Sequence, residues 1–313
     1  MKSHKATLVA LAAIAMIALC VPLVSAQGSQ LQYRYQAGIA SFETSELAVK
    51  VTAAGQVPHF HYWSPVNPTV NYHVMFVKIF EASDTDSDAV FTPGVDHIVG
   101  PVFALPSTNW EFSGFSTETS NGNVTAIHFN FTSTQNFDPR PDLPGNPYGP
   151  LPPLSPFDVQ VQIRVHMSVS APNQFKFDLI ISGWQWTYDD SMLVFQFTVT
   201  ESNHGENQGT RPPSGLYREQ TTFRFGNGYM QYEETALAAQ NMIQVRASHG
   251  EGTGQEAGTS IYLAFAYFGN STLEYDPVLG VVSTTGLPVD PSTLLIGGIV
   301  LIVVVAVALK LRK

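Results

Sequence analysis

The sequence predicts an all-β protein: a large antiparallel two-sheet sandwich ectodomain followed by one C-terminal transmembrane helix. Three observations predict it. Apolar and polar residues alternate with period two along many segments, no long stretch carries helical i, i+3, i+4 spacing, and an uncharged apolar run lies near the C-terminus. Composition agrees with a folded core, since 20 Phe, 12 Tyr and 4 Trp accompany a charged fraction of only 13%. The formal charge of −10 argues against a nucleic-acid partner, because phosphate binding wants a basic face.

In chain order, residues 1–26 read as a signal peptide. Lys2 and Lys5 form the basic start, Ala6 to Val24 is uncharged, and Val24-Ser25-Ala26 is a small-residue cleavage site. The single cysteine, Cys20, falls inside this segment, so no disulfide can form within the mature chain. Residues 27–285 are the ectodomain. Its first half offers strands at Tyr72 to Phe80, Asn109 to Phe115 and Asn123 to Phe131; in the last, Ile127, Phe129 and Phe131 face inward and His128 and Asn130 outward. Between Asp138 and Phe157 stand eight prolines, which cannot donate to a ladder, so residues 138–157 are a loop or linker that either crosses one sandwich or divides two domains.

The second half alternates more cleanly. Val161, Ile163, Val165, Met167 and Val169 point one way; after the turn Ala171-Pro172-Asn173, Phe175, Phe177, Leu179 and Ile181 do the same. A third run sets Leu193, Phe195, Phe197 and Val199 against Gln196, Thr198 and Thr200. The three runs read as an antiparallel meander with one wet face. Phe223 to Phe225 and Tyr229 to Tyr232 flank Gly226-Asn227-Gly228 as a hairpin, Thr235 to Ala239 reads as a short helix, and Ile261 to Phe268 as a closing strand. Residues 286–293 form a stalk. Leu294 to Leu309, 16 residues without a charge, is the transmembrane helix, and residues 310–313 are a basic tail. The positive-inside rule leaves that tail in the cytoplasm and places the ectodomain outside the cell, a single-pass type I topology.

Four groups of residues point to chemistry. Asp84, Asp86 and Asp88 stand at alternate positions of one loop, where carboxylates converge on a hard cation such as calcium. The Val90 carbonyl and the Asp96 carboxylate would complete the set, although the glycine and flanking helices of an EF-hand are missing. The competing reading is a solvated turn whose aspartates cap backbone amides. His59 and His61 share one face of a strand, and with His73 on a neighbouring strand they would form a transition-metal site; the bland reading is a half-buried sheet face. Trp184 and Trp186, followed by Asp189 and Asp190, read as a glycan-stacking platform or as ordinary core. Asn123, Asn130 and Asn270 each begin a glycosylation sequon. No nucleophile elbow or phosphate loop is present, and nothing identifies an enzyme.

The aspartate loop ending Thr92-Pro93-Gly94-Val95-Asp96, the segments Asn109-Trp110-Glu111-Phe112 and Phe175-Lys176-Phe177-Asp178, and Tyr275-Asp276-Pro277 before the stalk together give the chain a likeness. It resembles uncharacterised membrane-anchored archaeal cell-surface β-sandwich proteins. The resemblance implies an extracytoplasmic location and transfers no site residue. The sequence therefore reads as a membrane-anchored extracellular module for binding or structure, calcium-stabilised, with cell-surface proteins or glycans as partners. Two other readings stand beside it: a glycan-binding or carbohydrate-active protein using Trp184 and Trp186, and a metal-binding surface protein using the histidines.

Overall fold

The computed structural model describes residues 31–52, 57–134, 159–204, 209, 211–251 and 258–283. The signal segment, the proline-rich stretch 138–157, the stalk and the apolar run 294–309 lie outside the described residues. Among those described, no helix is long and apolar enough to cross a membrane.

Among the described residues there are twenty strands and one 3₁₀ turn. In chain order they are β1 (Gln32–Gln36), β2 (Ile39–Glu43), β3 (Ala48–Thr52), β4 (His59–Trp63), β5 (Val70–Ala82), β6 (Ile98–Ala104), β7 (Trp110–Phe112), β8 (Ser116–Ser120), β9 (Asn123–Ser133) and β10 (Gln160–Ser168). They continue as β11 (Gln174–Ser182), β12 (Met192–Asn203), β13 (Tyr217–Glu219), β14 (Thr222–Phe225), β15 (Gly228–Gln231), β16 (Thr235–Ala238), β17 (Asn241–Glu251), β18 (Thr259–Ala266), β19 (Leu273–Tyr275) and β20 (Val278–Val281).

Among the described strands every pairing is antiparallel, and they fall into two sheets. The first runs β1-β2-β3-β4-β5-β12-β18-β17, with β6 beside the later half of β5. The second runs β13-β14-β15-β20-β11-β10-β9, with β7 and β8 on the far side of β9 and with β19 and β16 continuing from β11. Strand β17 belongs to both: Asn241 to Gln244 pair with β16 and Val245 to Glu251 with β18. Strands from either side of residues 138–157 pair with each other in both sheets, β5 with β12 and β9 with β10.

The inward sets of the two sheets meet as the period-two pattern requires. Phe60 of β4 stacks on Phe175 of β11 at 5.5 Å, Phe42 meets Phe129 edge-on at 5.5 Å, Phe76 lies 5.5 Å from Phe177, and Phe265 meets Tyr275 at 5.1 Å. All of these rings are buried. Each buries a large apolar area, and aromatic pairs at these spacings add roughly 0.5–1.5 kcal/mol beyond it.

Three expectations are corrected. The run from Leu193 does not extend the β10–β11 meander, because β12 sits in the other sheet between β5 and β18. Nor is its second face wet: Gln196 and Thr198 are buried. Gly258 passes so close that an added Cβ would lie 2.4 Å from Thr200 and 2.6 Å from Thr198, and the Gln196 amide donates to Ser260 Oγ at 3.0 Å. Farther along, Phe91 folds back over Val194, Tyr262 and Ala264 as a second, smaller core. Thr235 to Ala239 is no helix; its first four residues form β16, where backbone bonds to β17 and β19 outweigh the helix propensity of alanine.

Tyr72 ties the sheets together at one end. Its hydroxyl donates to Asn227 Oδ1 at 2.7 Å and accepts from the Asn227 amide at 3.0 Å, in the two-residue turn of the β14–β15 hairpin. Gly226 there has φ +54° and would place a Cβ 2.4 Å from that hydroxyl, so glycine is required twice over. Tyr72→Phe leaves the ring in the core but orphans two polar groups. It is expected to cost about 1–3 kcal/mol, read as a lowered denaturant midpoint with an unchanged slope.

Candidate metal centre

Strand β4 reads His-Phe-His-Tyr-Trp, so Phe60 and Tyr62 point into the sandwich while His59, His61 and Trp63 occupy the outer face. On β5 the inward set is Tyr72, Val74 and Phe76, which turns His73 and Met75 outward. Register then decides the neighbours. His61 lies directly opposite His73, and His59 directly opposite Met75. The ring centres are 4.3 Å apart for His59–His61, 4.5 Å for His61–His73 and 5.6 Å for His59–His73. One ring nitrogen from each histidine comes within 4.8 Å of the other two. A tetrahedral ion with bonds of about 2.1 Å spaces its ligands roughly 3.4 Å apart, so small rotations of the rings close the site.

Although outward-facing, the cluster is not wet: His61 is 3% exposed and His73 1%. Burial holds all three rings in the neutral form that binds metal, lowering His59 and His73 from 6.5 to about 4. His61 is lowered to about 2, by burial first and then by His59, His73 and Lys50. The tautomer of His73 follows from its partner. Ser202 Oγ is placed to donate to the Asn203 carbonyl (3.2 Å), and with its proton there it accepts from His73 Nε2–H at 2.7 Å. In that tautomer the Nδ1 lone pair of His73 is bare, and among the described residues this buried atom has no hydrogen-bond partner. A ligating histidine is characteristically held in this way, one nitrogen fixed by a neighbour and the other free to bind.

In the aspartate loop, the carboxylates of Asp84, Asp86 and Asp88 also lie within 4.8 Å of one another. Three of their six oxygens accept backbone hydrogen bonds. Asp84 accepts from the amides of Asp88 (3.1 Å) and Ala89 (3.0 Å), and Asp88 from Val90 (2.7 Å). Asp96, expected to close the set, stands apart, using one oxygen for the Thr85 amide (2.8 Å) and the other for Thr92 (2.7 Å). These bonds fix the loop that seats Phe91 on Phe80 and Tyr262. Desolvation, then Asp88, Asp96 and Asp84, raise the Asp86 carboxyl.

Trp184, 2% exposed, belongs to the main core and presents no stacking face. Trp186 is half-buried, donates its Nε1–H to the Gly269 carbonyl at 2.8 Å and packs on Tyr267 and Phe268. Tyr188 and Tyr267 are exposed beside it. Of the sequon asparagines, Asn123 and Asn270 are exposed, while the half-buried Asn130 donates to its own sequon threonine, Thr132, at 3.2 Å.

One cluster escaped the sequence reading. His128 and His166, opposite each other on β9 and β10, hydrogen-bond through their Nδ1 atoms at 2.7 Å. Their outer nitrogens meet Glu118 (3.0 Å) and Asp178 (2.7 Å), giving an acid–histidine–histidine–acid row across β8 to β11. The four residues are spread over 60 positions of sequence, and only the register of four strands unites them.

No family model matches the chain, and no curated protein matches it. Among solved structures, a heparinase III with methylated lysines is similar at 10% identity and a TM-score of 0.37, over 83% of this chain. The chain spans 36% of that protein's length.

Proposed function

We propose that this protein is a membrane-anchored extracellular β-sandwich module that binds a transition-metal ion through His59, His61 and His73. The observation that carries the metal role is the bare, buried Nδ1 of His73, on a ring whose Nε2 is held by Ser202 and which clusters with two further neutral imidazoles. An unpaired buried nitrogen costs free energy unless something uses its lone pair, and a metal ion does so at three nitrogens together. The anchored, extracellular setting is supported by the basic, apolar start of the chain, the apolar run Leu294 to Leu309 and the basic end. The aspartate loop plays a structural part, seating Phe91 whether or not calcium joins it.

The test is metal content. The full chain is exposed in turn to zinc, copper and nickel, desalted and analysed, beside the His61→Ala/His73→Ala variant. About one equivalent on the wild type and none on the variant is expected. At a hundredfold excess over the dissociation constant, the bound ion also stabilises the fold by about 2.7 kcal/mol. Equal metal on both proteins, or none on either, would overturn the proposal.

A further inference from the structure

Resting on the metal reading above, we infer that the ion this site takes is copper(I), and that the Met75 thioether is its fourth ligand. Register places Met75 directly across from His59 on β4 and from Thr198 on β12, so its side chain shares the outer face with the three imidazoles. Directly opposed residues hold their Cβ atoms about 4.5–5.5 Å apart, well within the reach of an unbranched, three-torsion side chain. Met75 is half-buried, like His59, at the rim of a cluster whose His61 and His73 are almost wholly enclosed.

Charge selects the ion. Among the described residues, the groups that act electrostatically on the trio are the histidines themselves and Lys50, which stands opposite His61; no carboxylate is among them. Every candidate ligand is neutral. A dication here would keep its whole charge in a poorly solvated place beside a lysine, and the cost of burying an ion rises with the square of its charge. A monovalent ion carries a quarter of that cost. Among metals, copper(I) is monovalent and soft, and thioether ligands favour it over zinc, which prefers thiolate, imidazole or carboxylate.

The experiment measures copper(I) and zinc(II) affinities anaerobically by competition with chromophoric chelators. It uses the full chain carrying Cys20→Ser, so that no thiol competes, with Met75 intact or changed to Leu. Met75→Leu is expected to weaken copper(I) binding about tenfold or more while moving zinc(II) affinity less than about threefold. X-ray absorption of the copper-loaded Met75 protein, which needs no second variant to fold, is expected to show one sulfur scatterer beside nitrogens. Unchanged copper(I) affinity in Met75→Leu, or no sulfur scatterer, overturns the copper assignment and leaves the histidine site standing. Binding of neither ion by the Met75 protein overturns the histidine site itself, and the copper assignment with it.

Discussion

Lowering the pH from neutral to about 4 is expected to strip several kcal/mol from the stability of the metal-free protein, with the loss beginning near 6.5. The cause is the histidine trio. In the unfolded chain each imidazole takes up a proton near 6.5, whereas in the fold His59 and His73 do so only at about 4 and His61 at about 2. Between these values the unfolded state binds more protons, so acid favours unfolding; the contribution is complete above 6.5 and drains away as pH falls. For a buried ring such as His73 the difference corresponds to on the order of 3 kcal/mol by about pH 4. Glu201 acts in the same sense, but only in the carboxylate range. Burial would raise it, yet the hydroxyl and amide of Ser214 and the Arg211 guanidinium hold it lower. Asp86, raised by its surroundings, works the other way. Urea midpoints measured across this range, beside the His59→Gln/His61→Gln/His73→Gln variant, isolate the trio. The variant's profile is expected to keep only the shallower slope that His249 supplies, its ring being lowered by burial and then by Arg218, and a wild-type profile no steeper than the variant's would show that the rings are not buried neutral.

How much of this was legible in the sequence depended on whether one strand or several carried the information. Ile127, Phe129 and Phe131, and the alternating faces of β10 and β11, announced themselves because period two is a property of a single strand. The partner sheet of β12 did not. Phe195 and Phe197 alternate with Gln196 and Thr198 in the same way whether the polar face meets water or a covering chain, and the cover came from residues far along the sequence. His59 and His61 were legible as a pair by their spacing, and His73 only as a candidate, since the register of β4 on β5 settles its position. The Glu118–His128–His166–Asp178 row needs three registers at once and left no local trace. Trp184 and Trp186, two apart in the sequence, were expected to share one face. The chain there is irregular, so one ring entered the core and the other stayed at the rim.

Replacing Glu81 is expected to have the largest effect of any single polar substitution outside the metal centre. Glu81 interrupts an otherwise apolar stretch of β5 and is fully buried, without a cation beside it among the described ion pairs. Its partners are hydrogen-bond donors from one loop. The Thr187 amide approaches both oxygens (3.1 and 2.8 Å), the Tyr188 amide donates at 2.8 Å and the Ser191 hydroxyl at 2.6 Å. A carboxylate supplied with several donors in this way is well held, but removing it takes the acceptor from the part-buried Thr187 and Tyr188 amides and leaves the Ser191 hydroxyl only the Tyr188 carbonyl. Glu81→Ala is therefore expected to cost about 3–5 kcal/mol, and Glu81→Gln less, since one amide oxygen survives to accept while its NH₂ faces other donors. Across the strand, Gly100 leaves room for this group: a Cβ there would sit 2.2 Å from Oε2, so Gly100→Ala should reproduce the loss by displacing the same carboxylate. Because Thr187 and Tyr188 follow Trp186, the damage should be local first, with faster proteolytic cleavage between Trp186 and Ser191 well below the global midpoint. His73 lies eight residues back along β5, roughly 26 Å away at strand rise, so metal affinity should not change. A Glu81→Ala protein within about 1 kcal/mol of wild type, or one that lost metal binding before its loop became cleavable, would contradict the assignment of Glu81 as the anchor of that loop.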